Sequence, residues 1–212
     1  MVTDEMPERY AMLYPHPLPQ KELPTLFVAT MLRKESFIMD QNKIRKMTVN
    51  SMMAAMCAVL GYVSLDMGNI KVTFESFPIM LGALLFGPAS GALIAGVGDF
   101  IYQIIRYGFS ATTLLWIVPY VASGLVIGWY AKKNSFELTR IKTLAIVLIG
   151  EIIITALNTG VMYIDAKIYG YYSFAYIFGA TAARIVLCIG KGAVFGIAMP
   201  PILSSLKRAL KM

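Results

Sequence analysis

The sequence predicts an all-α integral membrane protein with six transmembrane helices, and three observations support this prediction. Apolar residues make up 58% of the 212 residues and charged residues only 15%. The mean hydropathy is +0.66, whereas a soluble domain has about 45–50% apolar and about 25% charged residues because water must wet its surface. Charge-poor stretches of about 20 residues also recur after residue 46, and each is long enough to cross about 30 Å of hydrocarbon.

The first 42 residues differ from the rest of the chain. Five of the ten prolines fall there, and the run Pro-His-Pro-Leu-Pro at residues 15–19 excludes a helix interior. No basic segment followed by an apolar run marks a secretory signal. We therefore predict a poorly ordered tail over residues 1–42 and a six-helix membrane domain over residues 43–212. A related hypothesis is that translation begins at Met39, which N-terminal sequencing of the native protein would test.

Five charge-poor windows divide the membrane domain, and each predicts a membrane-spanning segment. They cover residues 47–65, 76–98, 107–131, 143–164 and 168–206. The second window is ambiguous, since Gly87-Pro88 interrupts it. Gly-Pro is a strong turn signal, and proline suits the first turn of a new helix. One long kinked helix would give five spans, whereas two helices turning at Gly87 would give six.

The distribution of cations favours six spans. With six, ten cations fall on one side of the membrane, namely Lys43, Arg45, Lys46, Lys132, Lys133, Arg140, Lys142, Lys207, Arg208 and Lys211, and three fall on the other, namely Lys71, Arg106 and Lys167. Cytoplasmic loops of membrane proteins carry the excess of Lys and Arg, so both termini are predicted to be cytoplasmic. The net charge of +7 is then a topology signal and not the footprint of a nucleic-acid partner.

Ionisable residues within the spans are the first functional candidates, because each costs about 2.5–3.5 kcal/mol to insert into a bilayer. They are Asp99, Arg106, Glu151, Arg184 and Lys191. One interpretation is that they form structural ion pairs within the bundle. The other is that the two arginines bind an anionic solute, while Lys191 neutralises Asp99 or Glu151.

The loops opposite the cation-rich side mix aromatic residues with Asn, Thr and Arg. Interfacial Trp and Tyr are usually only a membrane belt, but this mixture also fits a pocket that stacks on a planar polar molecule and hydrogen-bonds to it. The candidate binding residues are Lys71, Phe74, Arg106, Phe109, Trp116, Asn158, Tyr163 and Arg184.

Small residues recur at four-residue spacing, which in lipid lets helix backbones approach closely. Packing within this chain explains most of these pairs. Ala54 and Ala58 in the first span are flanked by methionines, and we predict that they dock another membrane protein.

Several chemistries are absent from the sequence. No ATP-binding P-loop, His-Glu-x-x-His, Gly-x-Ser-x-Gly or paired catalytic carboxylate motif occurs. The only histidine, His16, lies among prolines, and Cys57 and Cys188 lie in apolar runs without metal-ligand spacing. We therefore expect no enzyme activity, metal or cofactor. Roughly 170 residues without an inverted repeat are few for a self-contained transporter, which favours a binding subunit that borrows energy from partners.

Three stretches resemble the substrate-binding S components of energy-coupling-factor (ECF) vitamin transporters, most closely the folate type. They are VTFESFPIMLGALLFGPASGALIAGVGD at residues 72–99, YGFSATTLLWIVP at residues 107–119 and Leu157-Asn158-Thr159. The resemblance implies a six-helix bundle in a prokaryotic plasma membrane with a vitamin pocket open to the outside. It also implies a transmembrane coupling (T) protein and two cytoplasmic ATPases as partners. In this family an Ala-x-x-x-Ala stripe on the first helix meets the coupling protein, and Ala54 and Ala58 match it.

Folate is the substrate that this resemblance favours. The folate-type pattern has a proline-arginine pair near the start of the last helix, closely followed by lysine. Here Ala183-Arg184 keeps the arginine, and the lysine comes later as Lys191. Pantothenate, hydroxymethylpyrimidine and cobalamin are the alternative ligands. A second class of function, a small membrane scaffold that binds no solute, predicts that replacing Ala54 and Ala58 by Leu disrupts a complex while substitutions in the outer loops have no effect.

Overall fold

A computed structural model describes residues 23–67 and 70–210, with side chains described for residues 41–64 and 72–210. The chain divides into two compact units between Lys46 and Met47. Every helix and strand after the first helix belongs to the second unit. Residues 1–22 lie outside the described part, whereas residues 23–42 belong to a helix that continues through residue 43 to Tyr62. The predicted tail over residues 1–42 and the domain boundary at residue 43 stay predictions.

The described residues form six helices of 11 or more residues, one single-turn helix and one two-stranded hairpin. In chain order these elements are α1 (Leu23–Tyr62), β1 (Leu65–Met67), β2 (Ile70–Val72), α2 (Ser76–Phe86), α3 (Pro88–Tyr107), α4 (Thr113–Lys133), α5 (Arg140–Ile168), α6 (Phe174–Phe178) and α7 (Thr181–Ala209). The strands are antiparallel, with Leu65 opposite Val72 and Asp66 opposite Lys71. The prediction of an all-α fold with six main helices is confirmed, and the hairpin occupies a predicted outer loop.

The ambiguous window contains two helices. Gly87 has φ 89° and ψ −171°, and Pro88 begins α3. A positive φ suits glycine because it has no Cβ, and proline fits the first helical turn because it has no N–H to leave unpaired. Helix α2 has only 11 residues, about 16 Å at about 1.5 Å per residue, which is half of the hydrocarbon thickness.

Four helical segments of the described part are long and apolar enough to cross a membrane. They are α3, α4, α5 and the combined segment Phe174–Ala209. Their outward faces expose large apolar side chains, such as Val118, which is 51% exposed, and Val194, which is 63% exposed. These faces account for the apolar composition, because they suit contact with lipid.

The short helix α2 is the centre of the core. Nine of its eleven residues are buried, and the side chains of Ile79, Met80 and Leu84 are 0% exposed. It packs against α3, α4, α5 and α7. A half-length helix is tolerated here because its neighbours shield it from lipid.

The two ends of this bundle have different compositions. At one end, which we call the basic end, Phe136 lies beside Gly87, and the ammonium of Lys207 donates to the carbonyl oxygen of Phe136. The cations near this end are Lys132, Lys133, Arg140, Lys142, Lys207 and Arg208. The hairpin, residues 108–112, residues 169–173 and α6 lie at the opposite end. Six of the ten cations that the charge count assigns to one side of the membrane therefore lie at this end, and the sidedness itself stays a prediction.

Candidate ligand-binding cavity

A cavity of about 670 Å³ lies between the helices at the end opposite the basic end, which we call the cavity end. Most of its walls are helix faces, because the lining residues of α3, α4, α5 and α7 recur every three or four positions. Trp116 and Tyr120 line it from α4, and Tyr102 and Arg106 line it from α3. Its size lies within the range of cavities that hold small molecules.

The wall from α3 and α4 combines aromatic rings with a cation. The guanidinium of Arg106 donates to the carbonyl oxygen of Tyr62 at 3.3 Å and lies 5.8 Å from the centre of the Tyr62 ring. The rings of Tyr102 and Tyr107 meet edge to face, with centroids 6.1 Å apart. The two contacts with Tyr62 hold Arg106 across the gap between α1 and α3, and Arg106 also lines the cavity.

The wall from α5 is a polar stripe. Thr155, Asn158, Met162 and Asp165 line the cavity from successive turns. Within the described residues, Oδ1 of Asn158 is buried and accepts no hydrogen bond. Buried amide oxygens are normally paired, and the Asn side chain offers two donors as well as this acceptor. Asn158 is therefore suited to hydrogen-bond a polar molecule in the cavity.

The wall from α6 and α7 contains the second arginine. One terminal nitrogen of Arg184 lies 3.1 Å from the sulfur of Met162, and the other donates to the carbonyl oxygen of Ile177 at 3.4 Å. The first contact orients the guanidinium towards the polar stripe of α5. The second ties the start of α7 to α6.

The connection between α5 and α6 closes one side of the cavity with tyrosines. The hydroxyl of Tyr171 donates to a carboxylate oxygen of Asp165, and the rings of Tyr171 and Tyr176 meet edge to face at 5.7 Å. Partial burial, together with the hydrogen bond to Asp165, raises the pKa of Tyr171 above its usual value. The phenol is thus a hydrogen-bond donor to Asp165.

The segment between β2 and α2 supplies an acidic wall. The hydroxyl of Thr73 donates to Oε1 of Glu75 at 2.8 Å. Glu75 is only 1% exposed, and both residues line the cavity. The cavity therefore presents a carboxylate as well as the two arginines.

Lys191 also lines the cavity from α7, and its charge is matched by Glu151 of α5. Its Nζ lies 2.8 Å from Oε2 of Glu151, a charge contact without good hydrogen-bond geometry at Oε2. Glu151 is 0% exposed. Of the two partners predicted for Lys191, the structure therefore pairs it with Glu151 and not with Asp99.

Four of the eight predicted binding residues line this cavity, namely Arg106, Trp116, Asn158 and Arg184. They come from α3, α4, α5 and α7, so the bundle brings together residues that are up to 78 positions apart in the sequence. Whether these four bind a ligand stays a prediction.

Three predicted residues lie elsewhere. Phe74 turns into the core and contacts Phe195, with ring centroids 6.2 Å apart. Phe109 is 76% exposed in the connection between α3 and α4. Tyr163 lies on the outward side of α5, where its ring contacts the ammonium of Lys167 at 4.8 Å. The eighth residue, Lys71, belongs to β2, and its side chain lies outside the described residues.

Four further residues line the cavity and are not among the predicted binding residues, namely Glu75, Thr112, Tyr120 and Asp165. A signal was available for two of them, because Thr112 and Tyr120 lie four residues on either side of Trp116 and therefore share its helix face. Glu75 and Asp165 lie just outside the charge-poor windows that predict the spans. The fold buries both of them, at 1% and 8% exposed.

The structure also places the predicted docking pair on α1. Ala54 is 4% exposed, and its carbonyl oxygen lies 2.8 Å from the position a Cβ would take on Gly98. This face of α1 therefore packs on α3 within the chain. The outward face presents Met52, Met56 and Val59, which are 64%, 43% and 61% exposed.

Comparisons with known proteins bear on this arrangement. A family model described as the ECF-type riboflavin transporter, S component, matches residues 41–208. A UPF0397 protein of Streptococcus thermophilus is 24% identical over 164 residues, which cover 72% of this chain and 88% of that protein. A UPF0397 protein of Streptococcus agalactiae serotype Ia is 26% identical over 104 residues, which cover 48% of this chain and 56% of that protein.

A solved structure shares the fold. The crystal structure at 2.1 Å of the S component for biotin from an ECF-type ABC transporter superposes with a TM-score of 0.61 at 15% identity, over 79% of this chain and 93% of that chain. The resemblance to ECF S components seen in the sequence is confirmed. Because the family model spans most of its length, the chain belongs to the family of ECF-type riboflavin transporter S components.

Proposed function

We propose that this protein binds a planar heterocyclic vitamin in the cavity between α3, α4, α5 and α7, as the substrate-binding subunit of an ECF-type importer. The observation that supports the proposal most directly is the convergence of Arg106, Trp116, Asn158 and Arg184 on one cavity of about 670 Å³. An aromatic ring for stacking, an amide and two cations are the groups that a polar ring system with an acidic substituent requires.

The specific ligand we propose is folate. Its two carboxylates would meet Arg106 and Arg184, because guanidinium groups pair with carboxylates in bidentate geometry. Its pterin ring, which carries N–H donors, would face the carboxylate of Glu75. Riboflavin is the competing ligand, because the family description names it and its ring system is planar. It carries no carboxylate that could pair with the two arginines. Biotin, which names the structural neighbour, has one carboxylate and no extended aromatic ring.

Binding to the purified protein tests this proposal. We expect folate to bind to the detergent-solubilised chain without ATP, and native mass spectrometry to find a vitamin in protein purified from cells. The panel contains folate, riboflavin, biotin, pantothenate, hydroxymethylpyrimidine and cobalamin. Binding of riboflavin alone would replace folate as the ligand and keep the vitamin-binding function. No binding of any member would contradict the function for these ligands.

The same proposal includes partners and topology. We propose that a transmembrane T protein docks on α1, through Ala58 and the outward residues beside it, and that two cytoplasmic ATPases supply the energy for inward delivery. Both termini would then lie in the cytoplasm of a prokaryotic cell, with the cavity end facing outward. Co-purification of ATPase subunits with this chain tests the partners. A scaffold without a solute would co-purify with partners and bind no vitamin.

Sidedness has its own test. In a chain whose Cys57 and Cys188 are replaced by Ala, a cysteine introduced at Ser135 of the basic end should react with a membrane-impermeant maleimide only in broken cells. One introduced at Phe109 should react in intact cells. The opposite labelling pattern would reverse the proposed orientation.

A further inference from the structure

The ion pair between Glu151 and Lys191 is not explained by stability alone. Glu151 is fully buried on α5 and does not line the cavity, whereas Lys191 of α7 does. Removing two charges from water offsets most of the energy of their attraction, so a buried ion pair is weak evidence for stabilisation. Its contacts beyond the pair indicate a more specific role.

These two residues are tied to the segment between β2 and α2 at two points. The ammonium of Lys191 donates to the carbonyl oxygen of Thr73 at 3.4 Å. The hydroxyl of Ser76 donates to Oε1 of Glu151 at 2.6 Å. Thr73 and Ser76 stand on either side of Glu75, so the ion pair fixes both ends of residues 73–76, which we call the 73–76 segment.

The 73–76 segment is a wall of the cavity, and most of it lacks regular secondary structure. Residues 73–75 belong to neither a helix nor a strand, and Thr73 and Glu75 line the cavity. Irregular backbone at membrane depth is tolerated only where protein or a polar cavity satisfies its polar groups. Here Lys191 of α7 donates to one such group, the carbonyl oxygen of Thr73, and Glu151 of α5 accepts from the side-chain hydroxyl of Ser76.

We propose that Glu151 and Lys191 are positioning residues for the ligand site, which hold the 73–76 segment against α5 and α7 so that Glu75 faces the ligand. This inference rests on the proposed function. In this role neither residue recognises the ligand directly. Glu151 does not touch the ligand, and the ammonium of Lys191 is directed at Glu151 and Thr73.

The first test needs no ligand. In hydrogen–deuterium exchange on the purified chain, Glu151→Gln should raise uptake in peptides that cover residues 72–78 and leave peptides over residues 110–118 unchanged. Ser76→Ala should raise uptake over residues 72–78 without removing a charge. Glu137→Gln, an exposed glutamate at the basic end, is the matched control. Unchanged uptake over residues 72–78 in both variants would overturn the proposal, even if the wild type binds no vitamin.

The second test measures affinity for folate, or for riboflavin if the wild type binds that vitamin instead. Glu151→Gln and Lys191→Met should each weaken binding about tenfold, as expected when a charged hydrogen-bonding group is lost. Lys191→Arg should stay close to the wild type, because arginine can still reach Glu151 and Thr73. Weaker binding in Lys191→Met with normal binding in Glu151→Gln would make Lys191 a ligand contact and overturn the proposal.

The double variant separates positioning from stability. Glu151→Gln combined with Lys191→Met leaves no unpaired buried charge, so it should regain the thermal stability that each single variant loses. Its affinity should stay low, because the tie to Thr73 is missing. If affinity recovers together with stability, the pair has only a structural role.

Discussion

The same two helices, α3 and α4, behave differently at the two ends of the bundle. Towards the basic end their backbones touch, because a Cβ on Gly91 would lie 2.7 Å from the carbonyl oxygen of Gly124 and one on Gly128 would lie 2.4 Å from the nitrogen of Pro88. Towards the cavity end the same helices present Tyr102 and Trp116 to a cavity of about 670 Å³. Residue size thus decides where the bundle is closed and where it is open.

This difference follows from the lipid environment. Burial in the bundle gains little over contact with lipid tails, so helices associate where small residues let backbones pack closely. The glycine contacts at the basic end hold α3 and α4 together. The two helices therefore do not need to pack against each other at the cavity end. We therefore expect substitutions at the basic end to affect folding and substitutions at the cavity end to affect binding.

The largest expected effect is at the closed end. In Gly124→Leu the new Cβ would lie 2.8 Å from the carbonyl carbon and oxygen of Gly91, which should destabilise the protein by about 3 kcal/mol. Unfolding by SDS and the folded yield on size-exclusion chromatography measure the loss. Gly96→Leu is the control, because a Cβ on Gly96 meets no atom within 4 Å. Equal stability of the two variants would contradict the close crossing.

The next effect concerns the polar residues of the open end. Arg184→Gln and Asn158→Ala should each weaken vitamin binding about tenfold, because a hydrogen bond to a charged or buried group is lost, and should leave SDS unfolding close to the wild type. Titration calorimetry measures the affinity. Lys167→Gln removes a cation of the same end outside the cavity and should bind normally. Similar losses in all three variants would indicate a diffuse electrostatic effect instead of a defined site.

A third prediction contrasts aromatic residues at the cavity end. Trp116→Ala should weaken binding about tenfold through lost stacking, whereas Phe109→Ala and Tyr163→Ala should change affinity less than about twofold, because both residues lie outside the cavity. Titration calorimetry measures these affinities. Strong loss in Phe109→Ala would show that the connection between α3 and α4 folds over the ligand.

The smallest effect is expected at Tyr171. Tyr171→Phe removes one donor to Asp165 and should destabilise the protein by at most about 1 kcal/mol, since Tyr171 is 44% exposed. Because the folded-state pKa of Tyr171 is raised, its contribution is fully present below the ordinary value of about 10 and is lost as pH rises through the raised value. The difference in Tm between the two proteins should therefore be constant at pH 6, 7.5 and 9. A difference in Tm that shrinks from pH 6 to pH 9 would contradict the hydrogen bond from Tyr171 to Asp165 and the raised pKa of Tyr171.

The number of helices and part of the cavity lining could be predicted from the sequence, because both depend on hydrophobicity and on the helical period. The charge-poor windows and the Gly87-Pro88 turn predict six helices, and the polar residues within spans predict Arg106, Asn158 and Arg184 as cavity residues. Phe109 and Tyr163 show the limit, because at the end of a helix the direction of a side chain depends on how the chain leaves the helix. Charge alone also did not reveal that Glu75 is buried.

The sequence also could not predict which side chains pair between two helices. Lys191 had two possible partners, and the register between α5 and α7 selects Glu151. That register depends on close contacts of two glycines with leucines, since a Cβ on Gly192 would lie 2.7 Å from Cδ2 of Leu148 and one on Gly196 would lie 3.0 Å from Cα of Leu144. Such contacts depend on three-dimensional fit, which a linear pattern does not specify.

The short length of α2 has a consequence for membrane insertion. A helix of 11 residues reaches only half-way across the hydrocarbon, so a translocon that tests about 20 residues at a time would not hold it as a separate span. We expect α2 and α3 to enter the bilayer together as one helical hairpin that turns at Gly87. During synthesis, α2 would therefore stay outside the lipid until α3 emerges from the ribosome. The two helices would then enter together, before α4, α5 and α7 are made, and the centre of the core would be in place before the helices that later surround it.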